Sequence, residues 1–232
     1  MKTAIILAAR REKESEIPYP LKAFAPDLCL LGRTIGILRD FHFSNILVVV
    51  GYKAEMFRKY EADDVTLIVN KDYEFTASMG SLALAKDYVK EDFLLIESDT
   101  FYERRLIEQL AARTEGNCLS MTEESGSGDE CFMETKNGFV TKITKDRHRV
   151  CHFEGEMIGV SRITLDTFEM LVNAWEHASN PYLNYEYLLM DVTEPLDRPV
   201  LVLKNLIWGD VDCEEDFKKL QNVIYPRLRR RE

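Results

Sequence analysis

The sequence predicts an α/β fold: a mixed, mostly parallel sheet with helices on both faces and an inserted β-hairpin region. Three observations carry this expectation. Short apolar runs rich in β-branched residues recur along the first half of the chain, as buried strands do. Helical patterns alternate with them, the βαβα order that builds a parallel sheet. In the second half, Asn137-Gly138 sits between two extended segments, which marks a hairpin turn.

Taken in order, "TAIILA" (3–8) and "NILVVVG" (45–51) read as buried strands. "TIGILRDF" (34–41) between them places Ile35, Leu38 and Phe41 on one helical face. "TLIV" (66–69) is the third strand, and "SLALAKDYV" (81–89) a helix that opens near Ser78. "DFLLIES" (92–98) is the fourth strand, followed by the helix "ERRLIEQLAAR" (103–113). The hairpin occupies 130–146, "EMIGVSRI" (156–163) is a strand and "TLDTFEMLVNAWEHA" (164–178) a helix. "RPVLVLK" (198–204) is the last expected strand, and "EEDFKKLQNVI" (214–224) the last helix. "TEESGSGDE" (122–130) alone resembles a flexible loop, and it is too short for a linker. With no internal repeat, one domain over 1–232 is the economical reading.

Composition narrows the function. The chain of 232 residues can bury a sizeable core. A net charge of −10 argues against nucleic-acid binding, which needs a basic face. Any anionic ligand must therefore be held by local cations, of which Arg10, Arg11, Lys13 and Lys22 form the densest group at a strand end. Five widely spaced cysteines, with no C-x-x-C pair, argue against a zinc site and suit a reducing compartment. No stretch has the form of a signal peptide or the length of a membrane span, so a cytoplasmic protein is expected.

Four segments can carry chemistry. After the first strand a glycine-rich phosphate loop would be usual, yet Arg10, Arg11 and Lys13 follow Leu7-Ala8-Ala9, and Pro20 restricts the approach to Lys22. Guanidinium and ammonium groups can hold phosphates as backbone N–H groups do, although a solvated charged turn is the plain alternative. "LLIESDTFYE" (94–103) ends a buried strand in Glu97-Ser98-Asp99, where Asp99 is a metal ligand or a helix cap. In "LIWGDVDCEEDF" (206–217), Asp210 and Asp212 alternate on one side of an extended segment, as a second carboxylate source or as caps. "YEFTASMGSLALA" (73–85) offers Ser78, Gly80 and Ser81, small enough for close approach to a flat base, or simply a helix start.

In their order these segments resemble the sugar-phosphate and phosphocholine nucleotidyltransferases. "LAAR", "PLK", "VVVGY" (48–52), "ASMGSL" and "ESD" match the family's succession of motifs. "SGSGDE" (125–130), "ITKD" (143–146), "GEMIGVSRI" (155–163), "NYEYLL" (184–189) and "WGDVD" resemble the 2-aminoethylphosphonate cytidylyltransferases in particular. The resemblance covers roughly 3–228. It implies a Rossmann-like, nucleotide-diphospho-sugar-transferase-like fold, with a nucleotide-binding half over about 1–115 and an acceptor-binding half over about 116–232.

It further implies Mg²⁺ held by Asp99, Asp210 and Asp212, with Lys22, Lys145 and Arg11 as catalytic cations. Leu7, Ala8, Ala9, Arg10, Lys22, Ser78, Gly80 and Ser81 would bind CTP. Asp129, Glu130, Tyr185 and Glu186 would bind the acceptor, as carboxylates for a primary ammonium or as an aromatic cage for a quaternary one. Tyr187 has a core role as its alternative. The family's signature glycines and arginine are absent, so which of Arg10, Arg11 and Lys13 grips the β and γ phosphates stays open. The implied reaction joins CTP and 2-aminoethylphosphonate to give CMP-2-aminoethylphosphonate and pyrophosphate, with phosphocholine or a sugar phosphate as the alternative acceptor. Related chains are sometimes fused to other phosphonate-pathway enzymes; the sequence does not fix the oligomeric state.

Overall fold

The computed structural model describes residues 1–11 and 15–231. Strands β1 (Thr3–Ala8) and β2 (Asn45–Val50) are apolar on both faces because both faces are covered. Their alternate residues enter two different cores. Ala4, Ile6, Ile46, Val48 and Val50 pack with helix α1 (Leu30–Asp40), whereas Ile5, Leu47 and Val49 pack on the other side of the sheet.

The parallel core is completed by β3 (Val65–Val69) and β4 (Phe93–Glu97): β3 lies beside β2, β2 beside β1, and β1 beside β4. Helix α2 (Ser78–Ala83) joins the second face, and α3 (Arg104–Ala111) the first. The chain then adds β5 (Thr100–Tyr102), β6 (Cys118–Thr122), the hairpin β7 (Phe132–Lys136) and β8 (Phe139–Thr144), and β9 (Gly155–Ile163). Strand β9 runs antiparallel between β4 and β6 and is buried throughout, so one sheet continues from the first half of the chain into the second. Helices α4 (Leu165–Glu176) and α5 (Tyr185–Val192) cover the second face, and β10 (Val200–Val202) pairs parallel with β6 at the edge. The result is a mixed α/β fold with a mostly parallel central sheet and helices on both faces, as the sequence predicts.

A small second sheet matters for the site. Strand β11 (Trp208–Asp210) pairs antiparallel with β5, setting Asp210 opposite Thr100. Helices α6 (Glu214–Lys219) and α7 (Tyr225–Arg231), joined by a π turn over Leu220–Ile224, pack behind it against Tyr19, Phe24 and Phe101.

Several boundaries differ from expectation. The helix expected over 81–89 ends at Ala83, because Leu84, Ala85 and Lys86 donate to carbonyls three residues back and tighten the chain. The strand expected over 198–204 is shortened to β10; at its start Pro199, with no N–H to donate, makes an isolated bridge to Phe139. Asp99 caps no helix; β5 follows it, and α3 is capped at Glu103. All five cysteines are free, and among the described residues no helix is long and apolar enough to cross a membrane.

Candidate active site

Parallel neighbours deliver their carboxyl ends to the same place, and Leu7 of β1 lies opposite Glu97 of β4. The exits of both strands are pinned: Ser98 N donates to Leu7 O (3.1 Å), and Tyr52 N to Ala9 O (3.1 Å). The β5–β11 pair brings in the distant acidic segment, with Val211 N donating to Asp99 O at 3.1 Å. A cavity of about 390 Å³ opens over this junction.

One wall is acidic and carries Asp99, Asp210 and Asp212. Arg10 spans it, with Nη1 at 2.6 Å from Asp212 Oδ1 and Nη2 at 3.5 Å from Asp99 Oδ2. Burial pushes the Asp99 carboxyl above its usual range; Arg10 opposes this and Asp212 adds to it. Asp210 is pushed up well above the ordinary carboxylate value, by burial first and then by Asp99. Asp210 lies beside Thr100, its cross-strand partner, whose hydroxyl opposes the rise. Three crowded carboxylates, two of them facing Arg10, are hard oxygen donors of the kind that suit Mg²⁺. Among the described residues no group of three or more His, Cys, Asp or Glu is placed to hold a metal ion by itself. Mg²⁺ takes few carboxylates from a protein and fills its shell with phosphates and water.

The opposite wall is mixed. Lys145 Nζ pairs with Asp129 Oδ2 at 2.7 Å. Burial pulls the Lys145 ammonium down, but the bond and charge of Asp129 with the charges of Cys131 and Asp212 together outweigh it, and the group lies above the ordinary lysine value. Arg11 Nη1 pairs with Glu74 Oε1 at 2.6 Å. Deeper in, Glu97 accepts from Tyr185 Oη at 2.7 Å and lies beside Glu186. Burial, then Asp99 and Glu186, push Glu97 up to about 8 against the Tyr185 hydrogen bond. Glu97 fits only because β9 is bare at Gly159, where a Cβ would come within 2.9 Å of its carboxylate. Burial also raises Glu186. The pocket floor thus holds carboxylates that a cationic group would stabilise.

Leu7, Ala9, Ser78 and Ser81 line the remaining side. The loop before α2 is held firmly: Asn70 Nδ2 donates to Thr76 Oγ1 (3.1 Å) and Ser81 Oγ (3.0 Å), and Tyr185 N donates to Ser78 Oγ (3.0 Å).

Five residues assigned to the site from the sequence do not line the cavity, and neither does Tyr187, which packs against the core as its alternative has it. Ala8 faces the core below, because side chains alternate along β1. The Lys22 ammonium pairs with Glu214 and lies over the Phe217 ring, 4.4 Å from its centroid. Gly80 is packed against Thr76. Glu130 turns back to accept from Gly128 N at 3.1 Å. Tyr185 is fully buried and reaches the site only through Glu97, so it offers no cage face. Lys13 lies outside the described residues. In turn the cavity includes Glu97, Glu156, Tyr73 and Asn184, which received no role from the sequence. Glu97 was legible in principle, since it precedes Asp99 by two residues at a strand end.

No family model matches the chain. Among curated proteins, the CMP-5'-(3-aminopropyl)phosphonate synthase of Streptomyces rubellomurinus is 29% identical over 127 residues, 50% of this chain and 20% of that protein. A bifunctional IPC transferase and DIPP synthase of Archaeoglobus fulgidus is 25% identical over 227 residues, 97% of this chain and 44% of that protein. The chain therefore spans less than half the length of these two relatives. Among solved structures, the inositol-1-phosphate CTP transferase of T. maritima superposes with a TM-score of 0.77 at 19% identity, over 97% of this chain and 98% of that one. This is a nucleotidyltransferase fold. Homologues of the chain are nucleotidyltransferases. In open α/β sheets ligands bind beyond the carboxyl ends of the strands, the edge occupied here by Leu7–Arg11 and Asp99.

Proposed function

We propose that the chain transfers a cytidylyl group from CTP to 2-aminoethylphosphonate, releasing pyrophosphate. One observation carries the reading: Asp99, Asp210 and Asp212 share a single cavity with Arg10, Arg11 and Lys145 at the carboxyl edge of the sheet. Carboxylates facing cations suit a triphosphate and its counter-ion, and the names of the relatives support CTP as the donor.

In this reading Asp99, Asp210 and Asp212 hold Mg²⁺, which would neutralise charge on the triphosphate. A phosphonate oxygen attacks the α-phosphorus in line with departing pyrophosphate. That oxygen is already anionic near neutral pH, so the chain needs no general base and the work is positioning and charge neutralisation. The triphosphate competes with Asp99 and Asp212 for the Arg10 guanidinium, and with Glu74 for Arg11. Lys145 lies across the cavity and serves the reacting phosphoryl groups. Lys22 would have to leave Glu214 to take part. Leu7, Ala9, Ser78 and Ser81 present backbone and small side chains to the base. The first half of the chain would serve the nucleotide and the second the acceptor, in a cytoplasmic setting that the free cysteines suit.

For the acceptor, Glu97 and Glu186 favour a primary ammonium, which donates hydrogen bonds to carboxylates. The quaternary ammonium of phosphocholine prefers aromatic faces, and Tyr185 is committed to Glu97. The aminoalkylphosphonate in the name of one relative also supports this choice. The test is ³¹P NMR of protein, CTP and Mg²⁺ with 2-aminoethylphosphonate, phosphocholine or inositol 1-phosphate in parallel. A phosphonate–phosphate anhydride signal with 2-aminoethylphosphonate is expected. Product with only another acceptor would reassign the substrate, and no product with any would remove the activity.

A further inference from the structure

A second cavity, of about 690 Å³, lies behind the hairpin between β8 and α5. Its deepest charged group is Arg198, on the segment entering β10 and only 4% exposed. The backbone there is locked: Val140 N donates to Arg198 O (2.9 Å), and Arg198 N to Pro195 O (3.1 Å). The guanidinium uses Nη1 alone, donating to Met190 O at 2.8 Å and to Met190 Sδ at 3.4 Å. Nε is buried without a hydrogen-bond partner, and Glu194 and Asp197 act on the guanidinium through their charge alone. Glu194 and Asp197 are nearby in sequence but are engaged in closing their own turn. Burial accordingly lowers the Arg198 pKa, although Glu194 and Asp197 oppose it.

A guanidinium buried without an anion is unfavourable unless something completes it, and its free edge matches two oxygens of one anion. The surroundings have the right sign. Lys142, Lys145 and Arg149 line the same cavity, against Asp146 and Asp191; Lys142 also meets Glu134 at 3.6 Å and Lys145 meets Asp129, which leaves Arg149 beside Arg198 as the main surplus. Asp146 is occupied in accepting from His148 N at 3.0 Å.

We propose that this cavity binds a phosphate-class dianion on Arg198, with Arg149 and Lys142 at its rim. The site is separate from the CTP site yet coupled to it, because Lys145 lines both cavities. An anion here draws the Lys145 ammonium away from Asp129 and weakens CTP binding; by linkage, CTP weakens the anion to the same degree. The coupling rests on the CTP reading above, whereas the anion site does not.

The experiment is isothermal titration of the intact protein with inorganic phosphate, in the wild type, Arg198→Gln and Arg149→Gln. Arg149 is exposed and serves as the variant least able to disturb folding. Saturable phosphate binding that falls at least tenfold in both variants is expected, together with a phosphate-dependent rise in the apparent Kd for CTP that both variants abolish. Equal phosphate affinity in all three proteins would overturn the site, as would the absence of saturable binding in the wild type. Phosphate binding that is merely displaced by CTP, and is unchanged in both variants, would assign it to the CTP cavity and overturn the proposal. Loss of phosphate binding in the variants with CTP affinity independent of phosphate would overturn the coupling and leave the site standing.

Discussion

At the scale of single residues, the site stores unfavourable charge. Asp210 is held above its normal pKa by burial and then by Asp99, with only the Thr100 hydroxyl opposing it at close range. Asparagine in its place removes the charge and keeps the shape. Asp210→Asn is expected to raise the melting temperature in metal-free buffer at neutral pH, while cytidylyl transfer falls by at least ~10²-fold. A variant both less stable and fully active would show that Asp210 is structural. Glu156 on β9 makes the pH dependence measurable. It accepts from Ser125 N (2.7 Å) and Oγ (3.1 Å), yet burial pushes it up to about 7 from an ordinary value of 4.5. Between those values the folded protein binds more protons than the unfolded chain, so stability falls as pH rises through the window. The contribution is fully present below the unfolded value and is lost as pH passes through about 7. Glu156→Gln should flatten this slope; thermal melts from about pH 5 to 8 that decline equally in both proteins would contradict the assignment.

At the scale of elements, the legible parts were those whose sequence pattern is local. Strands β1, β2 and β4 are continuous apolar runs, and the hairpin turn is written in two residues. Asn137 and Gly138 both have positive φ, 55° and 82°, as a tight hairpin turn requires. Beyond its chain neighbours, no heavy atom lies within 4 Å of where a Gly138 Cβ would sit, so the cost of a side chain there is backbone strain rather than collision. Gly138→Val should cost ~1–2 kcal/mol in urea denaturation, and no loss would mean that the turn relaxes freely. Strand β5 and β6 went unread because β5 has three residues and β6 mixes Cys, Ser and Met with its apolar positions. Tyr185 was placed in the acceptor site from its neighbours, but only the packing of α5 against the sheet shows it buried with its hydroxyl on Glu97. The direction of Lys22 was illegible for the same reason, since Glu214 and Phe217 reach it from the far end of the chain.

At the scale of the whole molecule, the sheet does what no segment can do alone. The net charge of −10 repels a triphosphate at long range, so capture depends on cations concentrated around one cavity. Those cations come from the exit of β1 and the end of the hairpin, whereas the carboxylates come from β4–β5 and β11. The direct test of this convergence is Mn²⁺ binding, followed by electron paramagnetic resonance in the presence of CTP. The wild type should bind one Mn²⁺ only when CTP is present, and Asp99→Asn and Asp210→Asn should each lose it while remaining folded. Undiminished Mn²⁺ binding in both variants would contradict the account.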